Sequence, residues 1–98
     1  MLKSVEIQQL IRKNLAELSR DYAVSEIGVF GSYVRDEQTL GSDLDILVEF
    51  SKPVGFVSFM QLEQHLQQLL GIKIDLVTRA ALKPQIGARI LNEVKYVQ

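Results

Sequence analysis

Gly28-Val29-Phe30-Gly31-Ser32-Tyr33-Val34-Arg35, followed after a loop by Ser42-Asp43-Leu44-Asp45-Ile46-Leu47-Val48, is the stretch that decides the fold. Glu26 to Phe30 reads as a short apolar strand that stops at the Gly31-Ser32 turn. Asp43 to Phe50 alternates strictly and predicts a second strand. Successive strand side chains alternate faces, so Asp43 and Asp45 share one face with Leu47 and Glu49, while Leu44, Ile46, Val48 and Phe50 take the other, fit for burial. Carboxylates two residues apart on a strand stand roughly 6–7 Å apart along it, and their oxygens can converge on metal ions spaced ~3.5–4 Å apart. Mg²⁺ suits such a pair, because it takes oxygen ligands and completes its shell with water and substrate phosphates.

The turn supplies the complementary chemistry. A strand that ends in Gly-Ser offers backbone N–H groups and a hydroxyl to an anion, and Gly31 lets the backbone approach a phosphate closely. Tyr33 to Gln38 is expected to form a short helix whose dipole adds to that attraction. Arg35 falls one helical turn past Ser32, within reach of phosphate oxygens. An ion pair with Asp36, Glu37 or Asp43 is an equal alternative for Arg35.

Outward from this core, residues 4–22 carry Val5, Ile7, Leu10, Ile11, Leu15, Leu18 and Tyr22 at helical spacing, with Ser4 as N-cap. Ser58 to Leu70 predicts a second long helix, opened by a Ser58/Gln61 capping box and closed by Gly71. Ile72 to Thr78 predicts a third strand, with Asp75 on the face opposite Ile74 and Leu76; beside the second strand it would face Asp43 and Asp45. Pro84 opens a last helix bearing Ile86, Ile90 and Val94. The order predicts an α/β (α+β) fold in which helices flank a small mixed β-sheet, as a single domain over 1–98. Phe56, Phe59 and Met60 are expected in the core, His65 on the polar flank of its helix, Tyr33 either packed or exposed, and Lys73, Arg79 and Lys83 solvated.

Composition narrows the class. At 98 residues with 47 % apolar content, one core is the expectation, with little room for a second region that recognises an acceptor. There is no cysteine, which excludes disulfides and thiolate metal sites and fits the cytoplasm. No apolar run approaches the ~20 residues of a membrane span, and the N-terminal residues do not read as a signal peptide. The net charge of −1 gives no strongly basic face for nucleic acid.

At the Gly31-Ser32 turn, the Asp43-x-Asp45 strand and the Asp75 strand, the chain resembles the DNA polymerase β-like nucleotidyltransferase superfamily. More closely it is similar to the minimal nucleotidyltransferases, the MntA-type antitoxins paired with HEPN-domain toxins. The resemblance runs over nearly the whole chain and is best from Gly28 to Val48. It implies the polymerase β-like fold, with Gly31 and Ser32 holding a triphosphate and Asp43, Asp45 and Asp75 binding Mg²⁺, as two ions. Arg35 matches an arginine that often follows the Gly-Ser pair; family members commonly have glycine next, where this chain has Asp36. The resemblance further implies ATP as substrate, AMP transfer to a tyrosine of a cognate HEPN ribonuclease, and a hetero-oligomer with that toxin. Two other functions stay open: an antitoxin that only masks its toxin sterically, and an enzyme acting on a small molecule or RNA end with help from another chain.

Overall fold

A computed structural model describes residues 2–98. Four strands form one mixed sheet in the order β3-β2-β1-β4. β1 (Val24–Phe30) runs antiparallel to β2 (Leu44–Phe50), which runs parallel to β3 (Ile74–Thr78). The crossover between the parallel strands is α3 (Phe56–Leu70), the connection such a pair requires. α1 (Ser4–Lys13) and α2 (Leu15–Tyr22) precede the sheet, and α4 (Pro84–Glu93) leads into β4 (Lys95–Tyr96), antiparallel to β1.

One face of the sheet is the core. Ile27 and Val29 of β1, Leu44, Ile46 and Val48 of β2, and Ile74 and Leu76 of β3 pack against Ile7, Ile11, Leu18, Leu62, Leu66 and Leu70 of α1–α3. These are the residues that the strand alternation and helical stripes select, because each element buries its apolar face against another. Leu66 is fully buried. Leu66→Ala is expected to cost about 3 kcal/mol, by lost burial plus the cavity left behind. An unfolding free energy from urea titration lowered by less than about a fifth of that amount would show that α3 closes over the gap.

Several local expectations are corrected. The 4–22 helix is two helices, broken at Asn14, whose Nδ2 donates to Leu10 O at 2.8 Å while its backbone N–H turns to Ile11 O. A short amide side chain that bonds its own backbone competes with the helical ladder. Lys3, not Ser4, is the N-cap of α1. α3 starts at Phe56 with Gly55 as N-cap, two residues before the predicted Ser58 box. Phe56 is therefore 77 % exposed and Met60 also lies at the surface; of Phe56, Phe59 and Met60, Phe59 alone packs against the core, edge-on to Phe50 at 6.4 Å. Residues 33–36 lie in hydrogen-bonded turns, 37 and 38 have no regular structure, and the expected short helix is absent among them. The last helix ends at Glu93, and Val94 leaves it in extended geometry for β4, which local periodicity did not signal. His65 is half-buried between α3 and α2, stacked on Tyr22 at 5.2 Å. Gly71 closes α3 in the left-handed conformation and Pro84 opens α4, both as expected. Tyr33 is buried in the core. Among the described residues no helix is long and apolar enough to cross a membrane.

Candidate active site

The second face of the sheet carries the carboxylates. β1–β2 pairing sets Phe30 opposite Asp45, and the parallel β2–β3 pairing sets Asp45 opposite Asp75. Paired residues point to the same face, so Asp45 and Asp75 stand side by side on neighbouring strands, spaced at ~4.8 Å between strand axes. Asp43 lies one residue before β2 and is exposed. Its position is set by a small loop, in which Thr39 N–H donates to Ser42 Oγ (2.9 Å) and Ser42 N–H donates back to Thr39 O (3.0 Å). Leu44 N–H then donates to Lys73 O at 2.9 Å, starting the ladder with the third strand.

The electrostatics follow from this crowding. Asp45 has its pKa pushed up to about 6, first by burial and then by the charges of Asp75 and Asp43 and contact with the Asp75 carboxyl; Arg35 acts weakly in the opposite direction. A carboxylate crowded in this way by two others fits a site whose charge is completed by a cation. Among the described residues, no three His, Cys, Asp or Glu side chains gather tightly enough to cage an ion by themselves. Mg²⁺ takes one or two protein carboxylates and fills the rest of its shell with water and phosphate oxygens.

The Gly31-Ser32 turn borders the carboxylates directly. Gly31 has φ +82°, and a Cβ on it would overlap Asp45 Oδ2 and sit 3.0 Å from Asp45 Cγ. Glycine is needed there both for the left-handed backbone and for the space that the Asp45 side chain fills. Gly31 O accepts from Val34 N–H (3.1 Å) and Arg35 N–H (3.3 Å), and Ser32 O accepts from Glu37 N–H (2.9 Å). The element expected to hold an anion is thus a tight turn, not the start of a helix. Asp36, where the resembling family commonly has glycine, takes φ +58° and is solvent-exposed. Aspartate tolerates the left-handed region better than most residues. Asp36→Gly is expected to leave stability unchanged or raise it by up to about 1 kcal/mol, since it relieves that strain. A denaturation midpoint lowered by the change would show that the Asp36 side chain has a bonding role.

Arg35 does not stand free for phosphate. Its Nε donates to Glu37 Oε1 at 2.7 Å, and its NH1 group pairs with Glu93 Oε1 at the end of α4. Of the expected pairs, Glu37 forms; Asp36 and Asp43 are not partners among the described residues, and Glu93 takes their place. Glu93 Oε2 also accepts from Gly31 N–H at 2.8 Å. Burial by itself would raise the Glu93 pKa; hydrogen bonds from Arg35 and Gly31 N–H, with the Arg35 and Arg89 charges, override it and hold the carboxyl below its ordinary value. The N–H groups of Ser32 and Tyr33 have no protein acceptor among the described residues and are the donors left for an anion. One clue to Glu93 was present in the sequence. An acid in the last turn of a helix opposes the helix dipole and calls for a compensating cation.

The other basic candidates are peripheral. Arg79, in the short 3₁₀ turn after β3, pairs with Glu49 at 3.6 Å, four positions along β2 from Asp45. Lys73 and Lys83 are exposed. A cleft of about 450 Å³ near Leu15, Ile27, Ser51 and Tyr96 contains none of the site residues.

Comparison with known proteins places the chain in a family and matches its fold. Residues 10–97 match the model of the nucleotidyltransferase domain family. The chain is 44 % identical over 97 residues to the protein adenylyltransferase MntA of Thermococcus cleftensis, covering 99 % of this chain and 98 % of that protein. A solved structure described as a minimal nucleotidyltransferase superposes with a TM-score of 0.78 at 29 % identity, over 94 % of each chain. The MNT antitoxin complex with a tri-AMPylated HEPN toxin of Shewanella oneidensis matches with a TM-score of 0.66 at 25 % identity, over 93 % of this chain and 71 % of the other.

Proposed function

The chain belongs to the nucleotidyltransferase domain family, and on that premise we propose that it is an adenylyltransferase antitoxin that moves AMP from ATP to a tyrosine of a HEPN-domain toxin and so silences it. The observation that carries this reading is the in-register pair Asp45 and Asp75 beside the Gly31-Ser32 turn. The relatives support the partner and the transferred group: one is a protein adenylyltransferase, and another is complexed with an AMPylated HEPN toxin.

The residues divide the work. Ser32, through its N–H and hydroxyl, and Tyr33, through its N–H, hold oxygens of the triphosphate. Gly31 supplies the backbone geometry that brings them beside Asp45. Asp43, Asp45 and Asp75 would hold Mg²⁺, as a pair of ions, which when bound offsets the triphosphate charge and favours in-line displacement at the α-phosphorus. The tyrosine oxygen attacks that phosphorus, the bond from it to the bridging oxygen of the β-phosphate breaks, and pyrophosphate leaves. Asp75 accepts the tyrosine proton. Placement on the docked toxin orients the hydroxyl.

Intact-mass spectrometry of co-purified partner after incubation with ATP and Mg²⁺ tests this. The expected result is a gain of one or more AMP units on the partner, absent with Asp43→Ala/Asp45→Ala. A double variant that still neutralises the toxin, with no mass gain in either sample, would instead make the chain a steric mask.

A further inference from the structure

The Glu93 carboxylate, 62 residues from Gly31 in sequence, closes a ring that the proposed chemistry does not use. Gly31 N–H donates to Glu93 Oε2 at 2.8 Å, the Arg35 guanidinium pairs with Glu93 Oε1, and Arg35 N–H donates to Gly31 O at 3.3 Å. The Glu93 side chain is only 20 % exposed, so water competes poorly for these bonds. The ring fixes both backbone polar groups of a left-handed glycine, the residue that has most freedom to lose. It also occupies the Gly31 N–H, so that donor is not part of the phosphate grip.

We propose that Glu93 is a positioning residue for nucleotide binding: with Arg35 it braces the Gly31–Asp36 turn so that the Ser32 and Tyr33 N–H groups stay available to the triphosphate. The inference rests on the reading of this turn as the triphosphate grip. In this arrangement Arg35 has a defined task. A bare carboxylate beside a triphosphate repels it, and the guanidinium, shared between Glu93 and Glu37, offsets part of that charge. Arg35 acts through Glu93 and not on the phosphate itself.

The order of variant affinities separates this from a merely structural role. Glu93→Ala loses the brace and is expected to bind ATP with Mg²⁺ about tenfold more weakly, the factor carried by a charge-assisted hydrogen bond. Arg35→Ala loses the brace and also leaves Glu93 uncompensated, so it should bind more weakly than Glu93→Ala. The double variant should recover to the Glu93→Ala level, and Glu93→Gln, which keeps an acceptor for Gly31 N–H, should fall between wild type and Glu93→Ala. Titration calorimetry with ATP and Mg²⁺ reads these affinities. Amide hydrogen exchange reads the brace independently: residues 31–36 should exchange faster in Glu93→Ala while α1–α3 keep their protection.

Tighter ATP binding by Glu93→Ala would mean that Glu93 competes with the triphosphate, and a double variant no better than Arg35→Ala would mean that Arg35 touches phosphate directly; either overturns the proposal. Unchanged exchange at residues 31–36 overturns the brace itself. Faster exchange with wild-type ATP affinity overturns its role in nucleotide binding. Loss of protection throughout α1–α3 in both Glu93→Ala and Glu93→Gln would make Glu93 a general fold residue and also overturns it. A wild-type chain that binds no ATP while the exchange difference persists would instead refute the adenylyltransferase reading, leaving the brace as a structural feature only.

Discussion

Asp45→Asn is expected to cut transfer severely and, with divalent cations removed, to make the protein more stable at neutral pH. The Asp45 pKa rises from 3.8 to about 6 in the folded chain through burial and the neighbouring Asp75 and Asp43 carboxylates. Between those two values the folded state binds more protons than the unfolded state. Stability therefore falls as pH rises through this window, and above about pH 6 the full penalty is present. A shift of this size corresponds to roughly 3 kcal/mol at ~1.4 kcal/mol per pKa unit, which solvent screening at this partly exposed group reduces to about 1–2 kcal/mol. Asn carries no charge, so it escapes the penalty. In EDTA the Asn variant should melt about 5–10 °C above wild type at pH 7.5, given about 4–8 °C per kcal/mol for a domain this small. That difference should shrink towards pH 4. Transfer should fall by about three orders of magnitude, since several kcal/mol of charge stabilisation at the reacting phosphate is lost. A melting difference that does not change with pH would sink the electrostatic account of Asp45.

Gly31→Ala should damage both stability and activity, for reasons that a cycle can separate. The new Cβ would overlap Asp45 Oδ2, and the backbone stands at φ +82°. The left-handed conformation costs about 1–2 kcal/mol for a residue with a Cβ. Displacing Asp45 adds a second cost and moves a carboxylate at the reacting centre, where misplacement by ~1 Å is worth about 100-fold in rate. The clash belongs to Asp45 and the backbone strain does not. Gly31→Ala should therefore destabilise an Asp45→Ala protein by less than it destabilises wild type, with a coupling of about 1 kcal/mol measured in denaturant. Equal costs in the two backgrounds would show that the turn shifts away from Asp45 and that their contact constrains nothing.

Local sequence determined the elements whose causes are local. The strand around Asp45 was legible because period-two alternation leaves one apolar face to bury. The Gly31-Ser32 turn, the left-handed Gly71 and the Pro84 helix start were legible because backbone stereochemistry restricts which residues serve at those points. The motif residues were likewise marked by type and spacing, and with them the proposed chemistry. The break at Asn14 and the start of α3 at Phe56 were less legible, since side-chain bonding and packing shift helix ends by a few residues.

Tertiary structure decided what depends on distant partners. β4 has only two residues and no pattern of its own; it exists because Gly28 and Val29 of β1 offer an open edge. The face-to-face register of Asp45 with Asp75 requires the α3 crossover to bring a parallel strand alongside, thirty positions on in the chain. Arg35 was visible as a charge near a phosphate turn, yet its partner Glu93 comes from the far end of the chain. Short-range residue chemistry thus named the groups, because dihedral and alternation preferences act within a few residues. Long-range burial and pairing chose which of them meet, because only the assembled sheet brings those atoms within bonding distance.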